Sequence, residues 1–385
     1  MIEEQDVLIC LGSLEGLEDR HGAMLPPVAQ ASLFRKRSAK ELLEGLKREH
    51  EEYIYSRGTN PTVKVLEDRL AALERGESCK CFSSGMAAIS SVLASLLESG
   101  DHVLFVNNIY GPTLQLAELL ARFGIDHTAI HGDDVRNFEE FIEHNTKLIY
   151  FESPGSMTFG LAPIREISKA AKERGIVTCI DNTVSTPLFQ KPLEMGIDIA
   201  VHSLTKYVGG HSDAVGGAVV TSRELMEKIF YRGYMLFGGA LAPQNAWLFL
   251  RGLMTMPARV RQHEADALAV AHFLAEHPKV KRVLHPALSV NERVLFETQM
   301  RGYAGLFSAV LDVEDFEELC AIVDSLRLFG KAVSWGGAES LVIPASGFDD
   351  DYGPQGIPKH LIRLSIGLEG ADMLIEDLSN ALAGN

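Results

Sequence analysis

Short apolar runs alternate with amphipathic stretches through the middle of the chain. Residues 102–106, 147–151, 176–180, 198–202 and 217–221 are mostly apolar and brief, the pattern of buried strands. Between them the apolar spacing lengthens to that of helices. Residues 112–123 carry Leu114, Leu116, Leu119 and Leu120 on their apolar side, and 164–174 behave alike. This alternation predicts an α/β fold, with a mostly parallel central sheet covered by helices on both faces. Ligands of such sheets sit at the carboxyl ends of the strands. Tyr110, Glu152, Asp181 and Lys206 all fall just beyond strand-like runs.

Both ends of the chain differ in texture. Residues 1–55 show no alternation, and Pro26-Pro27 interrupts any early helix. Ser38 is read as the cap of a charged helix through about His50, with Leu42, Leu43 and Leu46 as its stripe. The segment reads as an N-terminal arm lying on another surface. Thr62 is read as the cap of a helix over 63–74, and Ser83-Ser84 as caps of one running to about Leu97. Beyond residue 250 come a long helical run over 259–277, a strand over 305–313 and a helix over 316–326. With segments 332–341 and 361–369 they form a smaller α+β unit. Residues 347–358, rich in Gly, Asp and Pro, read as a mobile loop. The expected division is arm 1–55, large domain 56–250 and C-terminal small domain 251–385.

Composition narrows the class. A chain of 385 residues with 46% hydrophobic content can bury a large core. Its net charge of -16 disfavours nucleic acid and anionic membranes as partners and favours a soluble enzyme. The acidic start lacks the basic and apolar regions of a signal peptide, and no apolar run is long enough to span a bilayer. Five cysteines, an odd and low number, fit free thiols in a cytoplasmic protein. Cys79 and Cys81 have the wrong spacing for a zinc knuckle, and His211 with Asp213 lacks a third ligand, so no metal site is expected.

Candidate chemistry gathers after residue 199. The strand-like run ends in Ser203, Thr205 and Lys206, and glycines 209, 210, 216 and 217 follow. A lysine amine there can hold an aldehyde as a Schiff base, while the hydroxyls donate to a phosphate. Asp181, at another strand end, suits pairing with a protonated ring nitrogen. Tyr110 suits stacking on a flat ring. Gly85, at a helix start, lets an anion approach free N–H groups. Tyr55 and Arg57 suit gripping a phosphate. Singly, each residue also fits a bland role: surface lysine, Asx turn, loop aromatic or salt-bridged arginine.

Together the motifs closely resemble the transsulfuration branch of the fold type I pyridoxal-phosphate enzymes. They are Tyr55-x-Arg57, Ser84-Gly85-Met86, Tyr110-Gly111, Glu152-Ser153-Pro154, Asp181-Asn182-Thr183, Ser203-x-Thr205-Lys206 and Gly336-Gly337-x-Glu339-Ser340. The resemblance covers about residues 50–380. It implies pyridoxal 5′-phosphate bound as a Schiff base on Lys206, which also shuttles protons. Gly85, Met86, Ser203 and Thr205 would hold the phosphate, with Thr183 beside Asp181 at the ring. Tyr110 would stack on the ring and share in catalysis. Tyr55 and Arg57 would reach a neighbouring subunit's cofactor, which implies a homotetramer built as a dimer of dimers with shared active sites. Ser334, Trp335 and Arg363 would contact an amino-acid substrate, Arg363 through its carboxylate. Glu152-Ser-Pro-Gly-Ser156 and Ser334-Trp335-Gly-Gly look most like the bacterial cystathionine β-lyases of the branch. The implied reaction is β-elimination of cystathionine or related thioethers to a thiol, pyruvate and ammonia. The segment from Ala240 to Ala246 looks more like γ-acting members, so γ-elimination or γ-replacement stays open.

Overall fold

The computed structural model describes residues 1–14, 23–345 and 354–383; most of the loop expected at 347–358 lies outside the described residues. The chain begins with α1 (Glu4–Leu11), α2 (Ala39–Leu46) and α3 (Pro61–Glu74). A central sheet follows, of β1 (Ser78–Phe82), β2 (His102–Val106), β3 (Asp126–Ile130), β4 (Thr146–Glu152), β5 (Val177–Asp181), β6 (Ile199–Ser203) and β7 (Gly217–Thr221). Their spatial order is β1-β7-β6-β5-β4-β2-β3. The pairings from β6 across to β3 are parallel, and β7 runs antiparallel to both neighbours. The crossovers are made by helices, among them α4 (Gly85–Leu96), α5 (Gly111–Ala121) and α6 (Ile164–Arg174). Alternate residues of each central strand face opposite layers. Phe105, Tyr150, Cys179 and Val201 pack with α4, whereas Leu104, Ile149, Ile180 and Ala200 pack with α6. The expected mostly parallel α/β sheet is therefore observed.

After α7 (Thr186–Phe189), α8 (Arg223–Ile229) and α9 (Met235–Phe237) comes α10 (Pro243–Glu276), 34 residues long with Pro257 inside it. The sequence reading begins this helix at Arg259. It starts more than four turns earlier because Pro243 sits in the first turn, where its missing N–H costs nothing. The boundary expected at 250/251 falls inside this one helix. A second sheet holds β8 (Val280–Leu284), β9 (Leu306–Leu311), β10 (Gly330–Lys331), β11 (Leu341–Pro344) and β12 (Leu361–Ser365), in the order β10-β11-β12-β9-β8. Besides α11 (Arg293–Gln299), this part contains α12 (Phe316–Ser325) and α13 (Ala371–Ala383), which share a core with β9 and β12.

Several local expectations change. Asn60, not Thr62, caps α3, its side chain accepting from the Thr62 N–H at 3.0 Å. Pro61 already occupies the first helical turn, so the Thr62 hydroxyl is free to hold the incoming chain. It donates to the Pro27 carbonyl (2.9 Å) and accepts from the Ala29 N–H (2.8 Å). The Ser38 cap is present, but its helix ends at Leu46. Within the segment expected as an arm, α1 docks on the body: Asp6 is buried and accepts from Lys191 at 2.9 Å. β1 escaped the pattern because its central Lys80 is buried, paired with Glu67 at 3.2 Å. β3 escaped it because it is a partly polar edge strand. Among the described residues, no helix is long and apolar enough to cross a membrane.

Candidate active site

The carboxyl ends of β4, β5 and β6 open into a cavity of about 460 Å³. Gly85, Met86, Tyr110, Asp181, Thr183, Ser203, Thr205, Lys206, Ser334, Trp335 and Arg363 all line it. Residues more than 270 positions apart in sequence thus share one space. Tyr55 and Arg57 do not reach it. They lie together elsewhere, the guanidinium carbon 5.5 Å from the Tyr55 ring centroid, beside exposed Leu33, Leu42 and Leu46. A larger cavity of about 840 Å³, lined by Asn108, His131, Arg136 and Glu292 among others, contains neither the lysine nor Asp181.

Lys206 follows β6 in a tight turn. Its amine contacts the Ser334 hydroxyl at 2.7 Å and lies 5.4 Å from the Trp335 ring centroid. Burial, helped by the nearby Arg363 cation, lowers the amine to about 8; Asp181 opposes the shift. Ser334 holds its contact from a left-handed backbone, with φ at 85°, a conformation tolerated where surrounding structure enforces it. Arg363 sits on β12, between Ile343 and Ser308 on the neighbouring strands. Its guanidinium donates to the Ser334 carbonyl at 3.2 Å, and burial lowers it to about 10.

Asp181 and Glu152 are direct cross-strand partners on β5 and β4, so both carboxyls face the cavity. Asp181 accepts from the Thr183 N–H at 3.0 Å and from the Thr183 hydroxyl. That hydroxyl accepts in turn from the Ser203 N–H at 2.8 Å, tying β6 to the aspartate. Burial, with the adjacent Asp181, pushes Glu152 up to about 8. Two neighbouring carboxyls in a dry cleft resist both being ionised, and burial pushes Asp181 up as well. Glu152 accepts from the Tyr110 N–H at 2.6 Å and from the Ser156 hydroxyl at 2.7 Å. In the sequence Glu152 stands just beyond a strand-like run, a position that gives it no role by itself. The missing signal is the β4–β5 register, which pairing alone supplies.

At the opposite wall α4 begins. Ser84 caps it, its hydroxyl accepting from the Ala87 N–H, which leaves the first-turn amides of Gly85 and Met86 without helix partners. A side chain at Gly85 would crowd Ser203, its Cβ only 3.2 Å from that of Ser203. The Gly85–Ser203 gap is a small, donor-lined recess at a helix N-terminus, suited to a phosphate. An aldehyde-reactive amine, an anion cradle and a buried carboxylate in one cavity fit pyridoxal phosphate: Lys206 for its aldehyde, the α4 start for its phosphate, Asp181 for its ring nitrogen.

Comparison with known proteins agrees. The Cys/Met metabolism PLP-dependent enzyme family matches residues 11–383. Cystathionine gamma-lyase of Bacillus subtilis (strain 168) is 37% identical over 98% of this chain and 99% of its own. Cystathionine beta-lyase MetC of the same strain is 38% identical over 94% of this chain and 92% of its own. A solved metY structure from Campylobacter jejuni, which contains N′-pyridoxyl-lysine-5′-monophosphate, superposes with a TM-score of 0.90. It is 34% identical and covers 99% of this chain and 100% of its own.

Proposed function

Because the chain belongs to the PLP-dependent enzymes of Cys/Met metabolism, we propose that it cleaves a carbon–sulfur bond by β-elimination, acting on cystathionine or a related cysteine thioether. The products are a thiol (homocysteine from cystathionine), pyruvate and ammonia. The family's fold type I architecture and its cofactor, pyridoxal 5′-phosphate, come with that membership. When bound, the cofactor draws electrons from the substrate's Cα and so acidifies its proton.

The chain's own residues supply the rest. Lys206 holds the aldehyde until a substrate amine displaces it, then takes the Cα proton as a neutral amine. An amine lowered to about 8 is suited to that work near neutral pH. Ser334, 2.7 Å away, fixes its direction. Asp181 keeps a proton on the ring nitrogen. The amides of Gly85 and Met86, with Ser203 and Thr205, hold the phosphate, and Tyr110 covers the ring. Arg363 grips the α-carboxylate. Lys206 or Tyr110 returns a proton to the departing sulfur, and the released enamine hydrolyses in water to pyruvate and ammonia.

The observation that carries this reading is the single cavity that joins base, carboxylate grip and the Trp335 wall. A γ-elimination reading is supported by the likeness to the Bacillus gamma-lyase and by Val333, 80% exposed beside the cavity, which leaves room for a longer substrate path. Incubation with cystathionine separates the two. We expect pyruvate and homocysteine to dominate; 2-oxobutyrate with cysteine in excess would replace β-elimination by the γ-acting reading. For assembly, the exposed Tyr55–Arg57 pair and its apolar surroundings support a homotetramer in which these residues complete a partner's phosphate site. Five free cysteines, four of them buried, support a cytoplasmic protein.

A further inference from the structure

Tyr110 stands in a segment whose backbone is held at several points. The Asn108 carbonyl accepts from the Ser156 N–H at 2.8 Å, and the Tyr110 N–H donates to Glu152 at 2.6 Å. Between them, Ile109 is 1% exposed and offers one N–H and one C=O. Both are taken by a single side chain from the other sheet's loops. The Ile109 N–H donates to Gln355 Oε1 at 2.7 Å, and Gln355 Nε2 donates to the Ile109 carbonyl at 2.9 Å. The Gln355 main-chain carbonyl accepts from Asn108 Nδ2 at 2.5 Å. Asn108 is buried, and its remaining oxygen accepts from the Thr158 hydroxyl.

We propose that Gln355 is a positioning residue for Tyr110: its amide clamps both backbone groups of Ile109 and so holds the β2–α5 turn that aims the tyrosine into the cavity. A primary amide presents one acceptor and one donor side by side, the complement of the N–H and C=O of one extended residue. A bidentate pair fixes orientation as well as distance. The Tyr110 side chain itself is about half exposed, so packing alone does not set it. The clamp also crosses between the two parts of the chain. Gln355 precedes β12, which carries Arg363, whereas Tyr110 follows β2. The clamp thereby ties the loop that precedes the Arg363 strand to the turn that carries Tyr110. Gln355 holds the clamp from φ 58° and ψ 28°, a left-handed conformation that a glutamine takes only at a cost.

This inference rests on the reading that Tyr110 covers the cofactor, and the test separates the two. Gln355→Gly keeps the left-handed turn and the carbonyl that Asn108 needs, since glycine enters that conformation freely, and it deletes only the clamp. Loss of two hydrogen bonds to the buried backbone of Ile109 should raise amide exchange of residues 108–111 about tenfold or more in the apoprotein, with β5 and β6 unchanged. In the holoenzyme kcat/KM should fall by a similar factor, and the visible circular dichroism of the bound cofactor should change while its amount does not.

Gln355→Glu supplies a signature that a merely structural role would not show. The charged carboxylate accepts from Ile109 N–H but faces the Ile109 carbonyl with no proton to give. Protonation restores the donor. Its activity relative to the parent should therefore recover as pH falls. Unchanged exchange and turnover in Gln355→Gly, or a pH-independent ratio for Gln355→Glu, would overturn the clamp. Tyr110→Ala is measured in parallel. If it leaves turnover and dichroism intact, the assignment of Tyr110 fails first and the clamp has nothing to position. If it alters both while Gln355→Gly alters neither, only the clamp fails.

Discussion

Lys206 owes its low proton affinity to what surrounds it: burial and the Arg363 cation outweigh the help of Asp181. Only the neutral amine attacks an aldehyde. Below about 8, each unit of pH should thus cost the apoprotein roughly tenfold in its rate of taking up pyridoxal phosphate. The rate should level off above that value, as followed by growth of the visible absorption band. Arg363→Ala removes a charge that depresses the amine, so its rise should move to higher pH. The same variant should lose substrate turnover by roughly 2–5 kcal/mol, by analogy with truncated buried charge pairs, yet still bind cofactor. Lys206→Ala should form no covalent adduct and should lose turnover by at least about a hundredfold, the range of one general base. Undiminished turnover in that variant would remove the lysine from the mechanism.

The strand ends act together because β7 and α4 touch. A Cβ at Gly217 would lie 2.3 Å from the Ser84 carbonyl oxygen and 2.9 Å from the Gly85 Cα. Both are backbone atoms that cannot swing aside, so the start of α4 has to move. Gly217→Ala should loosen the phosphate recess, and we expect cofactor affinity to fall about tenfold or more alongside a stability loss of about 1–3 kcal/mol from overpacking. Equilibrium dialysis of pyridoxal phosphate, set against urea unfolding of the apoprotein, separates the two effects. An affinity equal to the parent's would show that α4 adjusts without cost. At this level the sequence was readable where one face or both of an element is apolar, as for β2, β4, β5 and α6. It was misleading where a charge is buried with its partner, as for Lys80 in β1, or where a proline opens a helix, as for α10.

Across the whole molecule, Tyr55 and Arg57 are the site candidates that their own chain does not bring to the cavity. If they serve a partner's cofactor, two defective chains can repair each other. A mixture of Arg57→Ala and Lys206→Ala chains, unfolded together and refolded, should recover part of the parent activity. One of the two sites in each hybrid pair then has both residues intact. Recovery absent from a mixture shown to form hybrids, or full activity in a monomer, would refute a shared site.

What the sequence determined by itself was the chemistry and the class of fold. Apolar periodicity is local, so strand–helix alternation announced the parallel sheet, and strand ends announced Asp181 and Lys206. The motifs named the cofactor only in combination and through their resemblance to a known family, since an amine, a carboxylate or a helix start taken singly also fits a bland role. Only the tertiary structure decided which of these groups meet, and at what protonation. Strand register paired Glu152 with Asp181, and burial together with that neighbour raised the glutamate. Chain reversal brought Arg363 and Ser334 to Lys206, and Gln355 to Ile109 across more than two hundred residues. Burial and charge–charge distance belong to the packed chain as a whole, and no local pattern of residues encodes them.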